Sequence, residues 1–357
     1  MSSRKLLGLL AVVVAGLLLW ELRWVLLVFF GAVVLGVALD VPVTLLRRLF
    51  PLNRPSALAI VLTVIVVVGY QITTLLLPEV VQQINEFTSL VPELLARLSE
   101  LVGKSPALKS LESQLNALTT FDRLQPIGAQ LLGIAGGAAN STIQLMLMAL
   151  LALLLALDPR SHQRMLIAAT PSFYRGPMQH LLHDARQALG GWLAGMTISA
   201  ITVFLLTWAG LAILGVPLAL LSGLVCGALT FVPTIGPTFA TLLPLAVALL
   251  ISPAKVVQVL VLRLLIQNGE AFLLTPILLS RTVNLLPTVA LMSQLCLGAL
   301  LGLPGVLLAL PLVVVLQVVA QQVLVKEIMD PWTGPGPSDT AAAGKASPPA
   351  PPQPGDG

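Results

Sequence analysis

Charge is scarce in this chain. Of 357 residues, 19 are Lys or Arg and 15 are Asp or Glu, 10% in all, well under half the share found in an ordinary soluble domain. That shortage excludes a water-soluble core of this length. Cysteine is nearly absent: Cys226 and Cys296 both lie inside apolar runs, so neither a disulfide framework nor a metal-ligand spacing is expected. The three histidines, His162, His180 and His183, have no cysteine or carboxylate cluster beside them and read as surface residues, so no metal or other cofactor is implied. Aromatics make up 5% of the chain and its basic residues fall singly or in pairs. The net charge of +4 therefore describes no nucleic-acid surface. No nucleophile, base and orienting group occur together, which argues against an enzyme. The chain also lacks a Gly-x-x-x-x-Gly-Lys loop, which argues against ATP-driven pumping by this chain alone.

What is present instead is apolar sequence. Hydrophobic residues make up 57% and the mean hydropathy is +0.98, the composition of a polytopic membrane protein. The most informative stretch is 214–316, where long apolar runs are broken at Gly215-Val216-Pro217, Pro233-Thr234-Ile235-Gly236-Pro237, Gly302-Leu303-Pro304-Gly305 and Leu310-Pro311. Proline removes a backbone donor and glycine weakens a helix. In a bilayer the freed polar groups are tolerated only where protein or a water-filled cavity satisfies them. Interrupted apolar segments in pairs point to the binding region of a transporter.

Residues 6–19 follow Arg4 and Lys5 as a signal peptide core would, but no small-x-small cleavage site comes after them. The expectation is an uncleaved pair of spans, 6–19 and 25–39, joined by a turn at residues 20–24. Lysine and arginine set orientation through the short loops. Arg4 and Lys5, then Arg47, Arg48 and Arg54, mark the cytoplasmic side. A third span at 57–77 leads out, a fourth at 131–157 returns, and the loop to residue 190 is cytoplasmic. Beyond it, 191–214 and 256–279 are long enough to cross. The runs 218–232 with 238–251, and 288–303 with 306–325, form two broken pairs that are either re-entrant or tilted. Both termini are expected in the cytoplasm.

The chain divides into an N-terminal unit of three spans (1–77), an extracytoplasmic amphipathic helical segment (78–130), a fourth span with its cytoplasmic loop (131–190), a broken-helix transport core (191–330) and a disordered proline-rich tail (331–357). In the outer segment Val80, Ile84, Phe87, Val91, Leu94, Leu98 and Leu101 form a helical stripe. Glu79, Glu86, Glu93 and Glu100 recur every seventh residue on another face. A second stripe runs through Leu108, Leu111, Leu115 and Leu118. These helices lie on the membrane surface or the transmembrane core, or else pack between subunits of an oligomer.

Polar residues within the apolar runs are the candidate site. Arg263, Gln267 and Glu270, at i, i+4 and i+7, share one helix face. A charge facing lipid costs about 2.5 to 3.5 kcal/mol on insertion scales, so they face protein, water or one another. Functionally they form a polar wall of a solute path, with Glu270 as a proton or cation site. Structurally they are an Arg263/Glu270 network that fixes helix packing. Asp40, at a span end, and the lone Gln294, of a type that commonly bonds across helices, are weaker candidates.

The blocks Ala188-Leu189-Gly190-Gly191-Trp192-Leu193-Ala194-Gly195, Ile213-Leu214-Gly215-Val216-Pro217, Phe231-Val232-Pro233-Thr234-Ile235-Gly236-Pro237, Ile266-Gln267-Asn268-Gly269-Glu270 with Thr275-Pro276, and Gly302-Leu303-Pro304-Gly305 before Ala309-Leu310-Pro311 resemble, in order and spacing, the autoinducer-2 exporter (AI-2E) family, also described as PerM-like permeases. The resemblance implies an all-α inner-membrane bundle of about eight spans that assembles as a homo-oligomer. It also implies export of the quorum-sensing signal autoinducer-2 or, in some members, exchange of sodium or lithium for protons. By position it carries polar roles to Gln267 and Glu270 and a broken-helix role to Pro233, Gly236 and Pro237. Thr234, where the family often has an aromatic, and Ala271-Phe272, where a polar residue often follows the glutamate, depart from its pattern. The expected function is gradient-driven secondary transport of a small polar solute through the lipid bilayer. The alternatives are a monovalent cation/proton antiporter and a non-transporting membrane scaffold. The transport path is assigned to Glu270, Gln267, Arg263, Pro233, Gly236, Pro237, Gly302, Pro304 and Gly305.

Overall fold

Two helices meet with almost no side chain between them at the start of this bundle, and small residues make that possible. The structure, a computed structural model, describes residues 14, 16–18, 20–103, 138–232, 235–274 and 286–323. Helix α1 (Arg23–Leu49) packs along α3 (Ala138–Leu157). A β-carbon at Gly36 would lie 3.3 Å from the carbonyl oxygen of Ala152. Contact this close is how helices associate in lipid, where hydrophobicity supplies no drive.

Among the described residues every regular element is helical. Helix α2 (Arg54–Gly103) follows α1, and α3 bends by 86° at Asp158 into α4 (Pro159–Ala168). Asp158 caps α4: its carboxylate accepts from the Ser161 hydroxyl at 2.6 Å and the Ser161 N–H at 3.2 Å. After a short 3-10 turn come α5 (Arg175–Ile213), α6 (Ala219–Leu229), α7 (Ile235–Ile251), α8 (Pro253–Gly269) and α9 (Pro287–Val319). By length and composition five of the described helices could cross a bilayer when both limbs of α9 are counted as one, or six if α3 and α4 form one bent span.

The breaks occur where proline and glycine announce them. Helix α5 ends in a Schellman motif, with Val216 N–H on the Leu211 carbonyl and Gly215 N–H on that of Ala212, each at 3.0 Å. Gly215 supplies the left-handed φ of +64° that this turn needs. Leu211 and Val216 close the motif inside a buried apolar cluster. In α9, Gly302 adopts φ 65° and ψ −150°, a region almost confined to glycine. Beyond it the chain folds back, since a β-carbon at Gly305 would strike the Leu297 carbonyl and one at Gly298 would lie 2.8 Å from Val306. Gly236 comes equally close to the Leu229 carbonyl, and Cys226 Sγ lies 3.4 Å from the Ala240 oxygen. Thus α6 with α7, and residues 287–301 with 303–319, are folded-back pairs. Their closest glycines are Gly236 and Gly305.

Three expectations are revised in detail. No reversing turn forms at residues 20–24, because Leu22 N–H bonds Leu18 and Leu26 N–H bonds Leu22, both at 2.9 Å. Trp20-Glu21-Leu22-Arg23-Trp24 holds no glycine, proline or asparagine to reverse the chain. Nor does the helix end at Pro78. It runs unbroken through Pro78 and Pro92 to Gly103, because Val80, Ile84, Phe87 and Leu90 pack on the cluster formed by Leu211, Val216, Leu218, Val247 and Val259. The beginning of the outer stripe therefore lies on the chain's own broken-helix core, with Leu90 in the place expected of Val91. Finally, residues 175–190 belong to α5 rather than to a loop. The second stripe at Leu108–Leu118, the first residues of the fourth span, Pro233 and the proline-rich tail lie outside the described residues.

One ionic cluster ties four helices. Asp40 on α1 pairs with Arg54 of α2 at 2.5 Å and with Arg186 of α5. Arg54 also donates at 2.9 Å to the Ala156 carbonyl in the last turn of α3. A carboxylate that the sequence reading treated as cheap at a span end is thus a buried hub.

Candidate functional site

The site begins with α8, an apolar helix that carries polar residues at the helical repeat. Ser252 caps it, accepting from Lys255 N–H at 3.2 Å, and Pro253 starts it. The Lys255 ammonium turns back onto the Leu214 carbonyl at the end of α5, where a cation suits the helix dipole. Arg263 lies ten residues beyond Pro253, about 15 Å along the axis. That is the middle of a 21-residue apolar span. Its side chain is 3% exposed. Nε donates to the Thr241 hydroxyl of α7 at 3.2 Å and Nη1 to the Thr207 hydroxyl of α5 at 3.0 Å.

Glu270 sits about two turns further along, where α8 widens into a π-turn over Glu270–Leu274. Widened turns of this kind recur at functional sites. Glu270 accepts from the Ser199 hydroxyl of α5 at 2.5 Å and from Gln267 Nε2 at 3.3 Å. Among the described residues Arg263 and Glu270 are not paired with each other. The face-sharing expected from spacing holds, but the internal Arg263/Glu270 pair does not form, because hydroxyls of α5 and α7 take up each group first.

Between α7 and α8 lies a cleft of about 140 Å³, lined by Pro237, Thr238, Thr241, Leu260, Arg263, Leu264 and Gln267. Three of the nine expected path residues, Arg263, Gln267 and Pro237, line it. Glu270 joins it through Gln267. Gly236 instead packs on Leu229, and Gly302, Pro304 and Gly305 form the fold-back of α9 without lining the cleft. Pro233 lies outside the described residues.

Sequence reasoning missed Ser199, Thr207 and Thr241. A hydroxyl in an apolar helix is quiet because it can bond its own backbone. The available signal was that Ser199 and Thr207 lie eight residues apart on the buried face of α5 with Met196, Ala200, Val203 and Leu211. Gln294 was expected to bond across helices. It is buried, and its amide nitrogen and oxygen have no hydrogen-bond partner among the described residues. Among those residues no group of His, Cys, Asp and Glu could hold a metal ion.

A family model for the AI-2E family transporter matches residues 7–324. The AI-2 transport protein TqsA of Escherichia coli (strain K12) is 30% identical over 187 residues, 52% of this chain and 53% of that protein. Two relatives carry names that describe them as putative transport proteins. YrrI of Bacillus subtilis (strain 168) is 28% identical over 149 residues, 42% of each chain. MT0215 of Mycobacterium tuberculosis (strain CDC 1551 / Oshkosh) is 34% identical over 157 residues, 43% of this chain and 42% of that protein. The matched segment spans about half the length of these curated relatives or less. With a family match over nearly its whole length, on a bundle of apolar helices, the chain belongs to the AI-2E transporter family.

Proposed function

We propose that this chain is a gradient-driven secondary transporter that carries a small polar solute through the cleft between α7 and α8. The observation that supports this is the gathering of Arg263, Thr207, Thr241, Gln267, Ser199 and Glu270 within otherwise apolar helices, beside the break between α6 and α7. Polar groups at membrane depth are costly, and they mark solute or ion pathways. In this reading Gln267 and Arg263 meet the solute, and Glu270 carries the coupling proton. The folded-back pairs are re-entrant: α6, with 11 residues, reaches about 16 Å, half the thickness of a hydrocarbon core of about 30 Å.

Autoinducer-2 is the first solute to try, since one relative is named as its transport protein. The proposal places the protein in the plasma membrane as a homo-oligomer, with both termini cytoplasmic. Exchange of a monovalent cation for protons is the second reading, and Glu270 favours it as a half-buried carboxylate at the wide turn of α8. The Arg263 guanidinium in the cleft wall weighs against it, because a fixed positive charge repels a cation there.

The test is uptake of labelled autoinducer-2 into liposomes containing the purified protein, with and without an imposed proton gradient. Saturable uptake that rises with the gradient supports the proposal. Uptake no greater than in protein-free liposomes, in protein shown to be folded, removes this solute and moves the weight to sodium or lithium flux.

A further inference from the structure

The least compensated buried charge in the described part of the molecule is the Arg263 guanidinium. A guanidinium carries five N–H donors, and Thr241 and Thr207 occupy two. Both partners are neutral hydroxyls. No carboxylate pairs with Arg263 among the described residues, whereas the other well-buried ionic group, Asp40, is matched by two arginines. Glu270, the carboxylate on the same helix face, is engaged by Ser199 and Gln267. A full positive charge at mid-span, 3% exposed, is thus held by groups that orient it without neutralising it. Buried charges are ordinarily paired, so the missing counter-charge has to arrive from elsewhere. The open side of Arg263 lines the cleft, whose other polar residues are Thr238, Thr241 and Gln267.

Resting on the reading of this cleft as the solute path, we infer that it binds the oxyanion group of a small organic anion, a carboxylate or a phosphate. The remaining Nη1 and Nη2 hydrogens form a planar fork that matches two oxygens of such a group. Gln267, whose Nε2 is given to Glu270, lines the same cleft and can accept at Oε1 from a hydroxyl on the rest of the molecule. A volume of about 140 Å³ equals that of about five liquid waters, which suits a molecule of the size of a three-carbon hydroxy acid. Thr207 and Thr241 are positioning residues, because they fix the plane of the guanidinium. The anion neutralises Arg263 when it enters, while the bonds to Thr207 and Thr241 stay in place.

The full-length protein in lipid nanodiscs is titrated at fixed ionic strength with glycerate, with glycerol, which has the same carbon skeleton without the carboxylate, and with inorganic phosphate, and its unfolding midpoint is followed. Glycerate should raise the midpoint saturably while glycerol does not. A phosphate effect equal to that of glycerate assigns the site to oxyanions in general, and a glycerate effect without one assigns it to carboxylates. Arg263→Gln should abolish the shift and Arg263→Lys, which keeps charge without the fork, should weaken binding at least tenfold. Should Arg263→Gln fail to fold, Leu264→Trp decides. It fills the cleft while leaving Arg263 in the chain and should also weaken glycerate binding tenfold. Equal responses to glycerol and glycerate, no response to any probe, or full binding by a folded Arg263→Gln or by Leu264→Trp would overturn the inference. Uptake of autoinducer-2 is read separately. A protein that transports it but ignores all three probes defeats the anion site alone, and one that binds glycerate through Arg263 but transports nothing defeats the transport reading alone.

Discussion

Replacing Gln83 by Ala should loosen the start of α6, although the two residues joined there are 138 positions apart. Leu218, the residue before α6, has a left-handed φ of 57° and no side-chain cap of its own. The cap comes from α2: Gln83 Oε1 accepts from Leu221 N–H at 2.8 Å, while Gln83 Nε2 donates to Glu79 at 2.8 Å. Gln83 and Leu221 are both buried, so no water replaces the lost acceptor. An unsatisfied buried N–H costs about 1 to 3 kcal/mol, which converts to a population of the open segment roughly 5- to 160-fold larger and correspondingly faster exchange. Gln83→Glu keeps the acceptor and sets a negative charge at a helix N-terminus, a gain of about 0.3 to 1 kcal/mol. Repulsion from Glu79, four residues away, offsets about 0.2 to 0.5 kcal/mol of that, so this variant should stay close to the parent. Hydrogen exchange of the peptide covering residues 219–229, read by mass spectrometry in nanodiscs, measures the effect. Exchange in folded Gln83→Ala at the parent rate, or equal loss in both variants, would refute the capping argument.

Asp40→Asn removes the shared partner of Arg54 and Arg186 and leaves two cations facing each other. Removing one side of a buried ion pair costs about 3 kcal/mol, so the midpoint of thermal unfolding should fall clearly, and an unchanged midpoint would show the hub to be dispensable. Gly302→Ala places a side chain at φ 65° and ψ −150°, which should cost about 1 to 3 kcal/mol; a parental melting curve would mean that α9 does not turn there. Asp158 caps α4 from outside the spans, and the hydrogen bond from the Ser161 hydroxyl, followed by that from its N–H, holds its carboxyl below the ordinary 3.8. The folded-state value is the lower one, so the cap is complete above about pH 3.8 and is lost as pH falls through the depressed value. Protection of the amides in residues 159–168 relative to their intrinsic exchange rates at each pH should fall over that acidic window, and Asp158→Asn should remove the dependence.

The breaks were legible because glycine and proline act on the backbone directly. Gly215 and Gly302 take up positive φ, and no packing partner is needed to foresee a break there. The common face of Arg263, Gln267 and Glu270 was legible too, since it depends only on the helical repeat. What each of those groups touches was not. The Thr207–Arg263 and Ser199–Glu270 bonds join residues 56 and 71 positions apart, and local spacing carries no record of such pairings. Arg54 shows the same limit. As a marker of the cytoplasmic side it was read for its charge, but its bonds to Asp40 and Ala156 give that charge a second, structural use. The boundary set at residue 77 does not end the helix, because losing the backbone donor of Pro78 stops a helix only where nothing else holds it, and here Val80, Ile84 and Phe87 pack on the core.

The proposed role of Glu270 is to couple solute movement to a gradient. It is tested most directly by proton-gradient-driven uptake of labelled autoinducer-2 into liposomes holding either the parent protein or Glu270→Gln, with insertion and folding matched between the two. Glu270→Gln keeps a group that can bond Ser199 and Gln267 but has no proton to exchange. Saturable, gradient-driven uptake by the parent and loss of the gradient dependence in Glu270→Gln are expected. Equal gradient-driven uptake by both proteins would contradict that role.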